Sequence, residues 1–236
     1  MTTEAVKYGI IGAMDIEVEL LHQAMETSLP RVTRVAGMEF WEGSINGSAC
    51  VAVQCGVGMV NAAACAQVLI DRFGVNRIIN TGAGGSLDAR IDIGDFVVAE
   101  DTVNWAMDVC NLGYEPGQTP GMQIAFPTDR ELGERIAQAA ESLAGVGVHR
   151  GRVASADRFV RDSEEKRFIA ETFGALCCEM EGAAIAQTCF LNEVPCAVVR
   201  AISDKADGSD ALDYPVFEKQ AAHNSAAVIC KLLELG

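Results

Sequence analysis

The sequence predicts an α/β protein, a single-domain three-layer α/β/α arrangement spanning residues 1–236 with a central mixed, largely parallel twisted sheet. Three observations predict it. Short apolar runs rich in Ile and Val alternate with longer segments of helical periodicity along the whole chain, as layered α/β folds require. Glycine-rich turns follow several of these runs, at the strand ends where such sheets bind ligands. No linker, internal repeat or low-complexity tract interrupts the alternation, and half of the residues are hydrophobic, enough for one large core.

Taken in order, Tyr8–Gly12 reads as a buried strand. Asp15 then stands where a helix N-cap belongs, and Ile16, Leu20, Leu21 and Met25 supply an apolar helical stripe. Phe40 to Ile45 and Ala49 to Cys55 form two strands joined at Asn46-Gly47, a strong hairpin signal. Gly56-Val57-Gly58 turns the chain into an Ala-rich helix ending near Phe73, and Arg77 to Thr81 is a buried strand closed by Gly82-Ala83-Gly84-Gly85. Phe96 to Ala99 follows as a strand. Residues 104–127, dotted with Gly and Pro, read as one long irregular stretch of the kind that serves function or covers an interface. A helix over 129–143 leads to strands at 151–156 and 176–179. Glu181 to Phe190 is helical, Cys196 to Ile202 a strand, and Phe217 to Leu235 the closing helix.

Charge and cysteine usage exclude several classes of partner. Eighteen basic residues stand against thirty-three acidic ones, a net charge of −15 that repels phosphate backbones and anionic membranes. Neither nucleic acid nor membrane is an expected partner; a small neutral or zwitterionic ligand is. Nine cysteines without a C-x-x-C pair read as reduced thiols in a cytoplasmic protein. No signal peptide and no apolar run of membrane-spanning length is present.

Several motifs fail. Gly56-x-Gly58-x-x-Asn61 follows a strand and opens a helix, but it lacks the third glycine of a dinucleotide fingerprint and the strand-end acid beyond it. No phosphate-cradling loop, no G-x-S-x-G elbow and no H-E-x-x-H helix occurs. His22, His149 and His223 are scattered, so neither a metal nor a cofactor is expected.

Three acids stand out by position. Glu17 lies in the first turn after the strand 8–12, Glu181 opens a helix directly after a buried strand, and Asp204 follows the apolar strand 196–202. One acid at a helix start is an ordinary dipole partner; three at three strand ends beside glycine turns point to a site. The segments Gly9-Ile-Ile-Gly-Ala-Met-Asp-Ile-Glu17-Val, Ile79-Asn-Thr-Gly-Ala-Gly-Gly-Ser-Leu87, Glu179-Met-Glu181-Gly-Ala-Ala-Ile-Ala and Val199-Arg-Ala-Ile-Ser-Asp204 resemble the 5′-methylthioadenosine/S-adenosylhomocysteine nucleosidase family, in order and over nearly the whole chain.

That resemblance implies a nucleoside phosphorylase-like fold and hydrolysis of the N-glycosidic bond of a 5′-modified adenosine, with water as co-substrate, in methionine salvage. It also implies residue roles. Asp204 resembles the general acid that protonates the departing purine, Glu17 the base that activates water, and Arg200 the residue that holds Glu17 and that water. Glu181 would accept hydrogen bonds from the ribose 2′- and 3′-hydroxyls, with Glu179 beside it and Met180 against the sugar. Phe159 would lie on the adenine, the Val160 backbone at its edge, and Ser203 would support Asp204 or the base. Ala83, Gly84 and Gly85 allow close backbone approach. Met14, Val57, Val109, Leu112 and Tyr214 resemble the apolar groove for the 5′ substituent, part of which the second subunit of a homodimer supplies through 104–127.

Two other readings share the fold: a phosphate-dependent purine nucleoside phosphorylase, and a non-catalytic nucleoside-binding protein. A phosphorylase needs arginines near its glycine loops, whereas Gly12-Ala-Met-Asp-Ile-Glu17 presents acids there. Retention of Glu17, Glu181 and Asp204 together speaks against mere binding. The chain departs from the family at Ala83, usually a serine that helps hold the water, which bears on turnover rate, and at Trp105 and Leu112, commonly histidine and phenylalanine, which leave the preferred 5′ substituent open.

Overall fold

A computed structural model describes residues 5–26, 31–143, 145–206 and 214–235 of the chain. In order the elements are β1 (Tyr8–Gly12), α1 (Asp15–Ala24), β2 (Arg31–Val35), β3 (Met38–Ile45), β4 (Ser48–Gln54), α2 (Met59–Phe73), β5 (Arg77–Ser86), β6 (Phe96–Asn104), a 3-10 turn at Cys110–Leu112, β7 (Ala125–Pro127), α3 (Arg130–Glu141), β8 (Val148–Ser155), α4 (Ser163–Phe173), β9 (Ala175–Glu179), α5 (Gly182–Leu191), β10 (Cys196–Asp204) and α6 (Tyr214–Glu234).

One sheet contains all of these strands, in the order β10-β6-β8-β9-β5-β1-β4-β3-β2, with β7 added beside β6. Because β5 also pairs with β10, the strands β5, β10, β6, β8 and β9 close into a ring. Within it β5 changes neighbours. Its first half runs parallel to β1 through Arg77–Asn80, and its end turns antiparallel to β9 at Gly85 and Ser86. Five of the ten described pairings are parallel and five antiparallel, so the sheet is more evenly mixed than the alternation of elements implies. The antiparallel share comes from the early hairpins, from ring closure and from β7 added beside β6.

Helices cover both faces. One core cluster gathers Val18 and Leu21 of α1, and Met25 just past its end, with Ile136 and Ala140 of α3 and Ile229, Leu232 and Leu233 of α6. Another gathers Ala62, Cys65 and Leu69 of α2 with Ala184, Ile185 and Cys189 of α5. A third, smaller cluster seats Ile169 and Phe173 of α4 near Val103 of β6 and Cys178 of β9. Burial at Val18, rather than at half-buried Ile16 and Leu20, sets the inward stripe of α1.

The hairpin at Asn46-Gly47 forms with φ of 50° and 76°, the left-handed pair that a tight two-residue turn demands. Three elements escape the apolar-pattern reading: β2, α4 and the short β7, which lies inside the stretch 104–127 expected to be irregular. β2 has no buried residue, so burial leaves no period in its sequence. β5 runs to Ser86 instead of stopping at Thr81. Glycine ordinarily weakens a strand, but here it serves close approach: a Cβ on Gly85 would stand 2.9 Å from Asp204 Oδ1.

Candidate active site

The strand ends converge on a cavity of about 230 Å³. Its first carboxylate comes from the turn between β1 and α1. The N-cap of α1 is Met14, one residue before the Asp15 expected from sequence. No cap side chain is needed, because Glu17 at the third helical position turns back: its Oε2 accepts the Ala13 amide at 2.6 Å and the Met14 amide at 2.9 Å. Its Oε1 accepts the Ala83 amide at 3.0 Å, across to β5. A Cβ on Gly82 would overlap that same oxygen, so glycine is what lets β5 run against the carboxylate. Burial pushes the Glu17 carboxyl above its ordinary range, against the charge of Arg200 and the three amides.

β9 and the start of α5 supply the second group. Glu179 is buried; its Oε2 accepts the Glu181 amide at 3.0 Å, the Gly182 amide at 2.8 Å and a bond from Arg200 Nη2, while Ser155 bonds its Oε1. Glu181, the N-cap residue of α5, accepts the Gly58 amide at 2.9 Å and lies 3.6 Å from Arg200 Nη2. Burial first, and then the neighbouring Glu179 charge, push its carboxyl up to about 7. Arg200 itself is fully buried in β10 and also donates to Asn80 Oδ1 at 2.6 Å. Burial opposes its charge, but Glu179, Glu181 and Glu17 together hold its pKa above the ordinary value.

This corrects the expectation for Arg200. Its guanidinium bonds Glu179 and pairs with Glu181, and it reaches Glu17 only through charge. It stands behind the cavity wall rather than in it. The reason is geometric: its carrier strand β10 lies beside β5, and β9 brings Glu179 within bonding reach before Glu17.

The third carboxylate ends β10. The register of β10 against β5 shifts between Ile202 and Asp204, a bulge that re-aims the side chain. Asp204 Oδ1 accepts the Ala206 amide at 2.8 Å, and the Ser203 hydroxyl lies 2.9 Å from Oδ2 and 3.3 Å from the Gly84 carbonyl.

Of the residues expected from sequence, Met14, Glu17, Val57, Ala83, Gly84, Gly85, Phe159, Val160, Glu179, Met180, Glu181, Ser203 and Asp204 all line the cavity. Phe159 is half exposed at its mouth and Val160 is buried. Val109 and Leu112 do not line it; they sit around the 3-10 turn, with Leu112 66 % exposed, in the stretch the resemblance assigns to a second subunit. Tyr214 opens α6, but its side chain lies outside the described residues. Ala13, Arg158, Cys178 and Glu218 line the cavity as well; Ala13 and Arg158 stand at strand ends where the sequence places ligand binding, and Cys178 and Glu218 escaped the sequence reading. The first three adjoin residues that reading singled out; Glu218 sits inside an amphipathic helix and gave no signal. Among the described residues no cluster of His, Cys, Asp and Glu could hold a metal, and no helix is long and apolar enough to cross a membrane.

Carboxylates from three strand ends share one cavity with Phe159 at its mouth, and residues 7–234 match the phosphorylase superfamily. A 5′-methylthioadenosine/S-adenosylhomocysteine nucleosidase from an Exiguobacterium species is 38 % identical over 95 % of this chain and 96 % of its own. The structure of the Neisseria meningitidis nucleosidase of that name, in complex with methylthio-immucillin-A, superposes with a TM-score of 0.93 at 35 % identity, covering 98 % of this chain and 99 % of that one. A futalosine hydrolase from Helicobacter pylori superposes with a TM-score of 0.92 at 28 % identity, over 98 % and 99 %. The chain belongs to the 5′-methylthioadenosine/S-adenosylhomocysteine nucleosidase family.

Proposed function

We propose that the chain hydrolyses the N-glycosidic bond of 5′-methylthioadenosine, S-adenosylhomocysteine or a related 5′-modified adenosine, giving adenine and the free 5′-substituted ribose. The observation that carries this reading is the meeting of Glu17, Glu181 and Asp204, from three separate strand ends, on one cavity.

Breaking a ribosyl–purine bond builds positive charge on the sugar and negative charge on the base. Asp204 gives its proton to purine N7 as the bond lengthens, with the Ala206 amide and the Ser203 hydroxyl fixing its orientation. Glu17 takes a proton from the water whose oxygen bonds to C1′. A carboxyl raised by burial is a stronger base than an exposed one, and the Ala13, Met14 and Ala83 amides hold it in place. Glu181 accepts the ribose hydroxyls, and its charge favours the cationic transition state over the neutral ground state. Phe159 covers the purine and the Val160 backbone meets its edge. Arg200 is a positioning residue: it touches no reacting atom and balances Glu179 and Glu181 behind the wall. The reaction takes water and no cofactor.

The same wall disfavours phosphate as nucleophile, since the carboxyl groups of Glu17, Glu179 and Glu181 line the cavity that an anion would have to enter. Incubation with 5′-methylthioadenosine in phosphate-free buffer tests the reading through release of adenine. Release without phosphate supports it; release only after phosphate is added makes the chain a phosphorylase.

The proposal extends to a cytoplasmic homodimer. All nine cysteines are free, in keeping with a reducing compartment. Exposed apolar Val57 at the cavity mouth, Val60 (79 % exposed) at the start of α2 and Leu112 offer a surface for a second copy. Light scattering at micromolar concentration is expected to give about twice the 25.0 kDa chain mass. A monomer there would remove the dimer.

A further inference from the structure

We infer that Ser225 of α6 is a positioning residue for Glu17: its hydroxyl anchors the Gly82 amide and so aims the next amide, that of Ala83, at the carboxylate. The inference rests on the nucleosidase reading above, in which Glu17 activates water, and deepens it.

β5 changes neighbours where it meets Glu17. Its pairing with β1 ends at Asn80, and its pairing with β9 begins at Gly85. Between these points two successive amides are taken by side chains from α6 and α1. The Gly82 amide donates to Ser225 Oγ at 3.0 Å, and the Ala83 amide to Glu17 Oε1 at 3.0 Å. Ser225 is fully buried, and its hydroxyl shares a second hydrogen bond with that of Thr81. The proposed chemistry gives Ser225 no part, and it does not line the cavity.

An anchor is needed here because Gly82 has to be glycine: a Cβ would overlap Glu17 Oε1. A residue without a Cβ is also the freest to rotate, so local sterics do not hold the peptide plane that follows it, the one carrying the Ala83 N–H. Ser225 restrains that freedom from the other side of the same α-carbon. The Ala13 and Met14 amides that also hold Glu17 come from its own turn, whereas the Ala83 amide arrives from another strand and depends on how β5 is set. That amide fixes one carboxylate oxygen and, with the charge of Arg200, favours the ionised form against burial. Glu181 and Cys55 also face Glu17, and a change at Ser225 alters none of these groups.

The test measures kcat, KM and the pH profile of kcat for 5′-methylthioadenosine, read as adenine release, together with melting temperature. Ser225→Ala is expected to lower kcat roughly tenfold to a hundredfold, with KM within about threefold of wild type. The acid limb of the profile is expected to move to higher pH: the base works ionised, and losing the Ala83 amide makes its carboxyl harder to ionise. Ser225→Cys fills the same place with a weaker acceptor and is expected to show a smaller change in the same direction. Thr81→Val is the control, since it removes the other hydroxyl of the pair and leaves Ser225 to accept the Gly82 amide. It is expected to lower melting temperature while keeping kcat and the acid limb near wild type. A purely structural Ser225 would leave kcat and its pH profile unchanged in folded Ser225→Ala and Ser225→Cys. That result, or the same loss and shift in Thr81→Val, overturns the inference and leaves the nucleosidase reading intact. No adenine from the wild-type protein overturns both.

Discussion

The Ala83 amide donates to Glu17 Oε1 at 3.0 Å, although the two residues are 66 positions apart in the chain. That bond ties the turn after β1 to the middle of β5, and it exists because Gly82 leaves the carboxylate room. Gly82→Ala is therefore expected to push Glu17 off both of its loops. A misplacement near 1 Å lowers the rate by roughly 10²-fold, so adenine release should fall by about that factor while the far-ultraviolet circular dichroism stays unchanged. Activity within a few-fold of wild type would mean that the Glu17 carboxylate need not sit where this bond holds it.

Asp204→Asn keeps the shape of the acid and removes its proton. Turnover is expected to drop roughly 10²–10⁴-fold, with calorimetry still detecting binding of 5′-methylthioadenosine. A variant that turns over normally would take the acid role away from Asp204.

Arg200→Met removes the cation but keeps the bulk. The buried carboxylates of Glu179 and Glu181 then lose their partner, and removing one member of a buried pair typically destabilises by about 3–5 kcal/mol. The loss should shrink as pH falls, because protonating the Glu181 carboxyl, held at about 7, removes much of the repulsion that Arg200 offsets. Urea titrations at pH 8 and pH 5.5 read this directly; an equal loss at both pH values would contradict the charge account.

Glu181 gives a pH dependence of its own. Its carboxyl has an ordinary value of 4.5 and is held at about 7 in the fold. A raised folded value means that the protonated form is favoured by folding. The stability it contributes is present in full below about pH 4.5 and is lost as pH rises through 7. Glu17 is raised too and acts in the same sense, but it is common to wild type and variant. Melting temperature is therefore expected to fall more steeply between pH 5 and pH 8 in the wild type than in Glu181→Gln. Parallel curves would mean that Glu181 titrates well away from 7.

Much of this site is legible in the chain, and what is not has physical causes. The turn at Asn46-Gly47 is dictated by two residues, so sequence alone suffices there. The three carboxylates could be found because each stands at the end of an apolar run. α4 had the local signals, with Asp162 accepting the Glu164 and Glu165 amides and Gly174 closing the helix at φ 64°. Its buried face is only Ile169 and Phe173, too sparse to show a period. The partner of Arg200 was not legible, since Glu17, Glu179 and Glu181 are chemically alike and only the order of strands in the ring decides among them. Glu218 is invisible for the same kind of reason: an acid on a helix reads as a solvated surface until the helix is docked.

The closed ring of β5, β10, β6, β8 and β9 divides the molecule into two regimes of change. Val199, Arg200 and Ala201 are laddered to β5 on one side and to β6 on the other, so that stretch cannot shift without breaking two sets of backbone bonds at once. Glu179 and Asp204 inherit that stiffness from the strands they end. α6 and the 105–124 stretch lie outside the ring and answer to no such constraint. Substitutions there leave untouched the ladders that hold Glu179 and Asp204 in place, so the cavity wall can be altered at Glu218 without loosening the strands behind it.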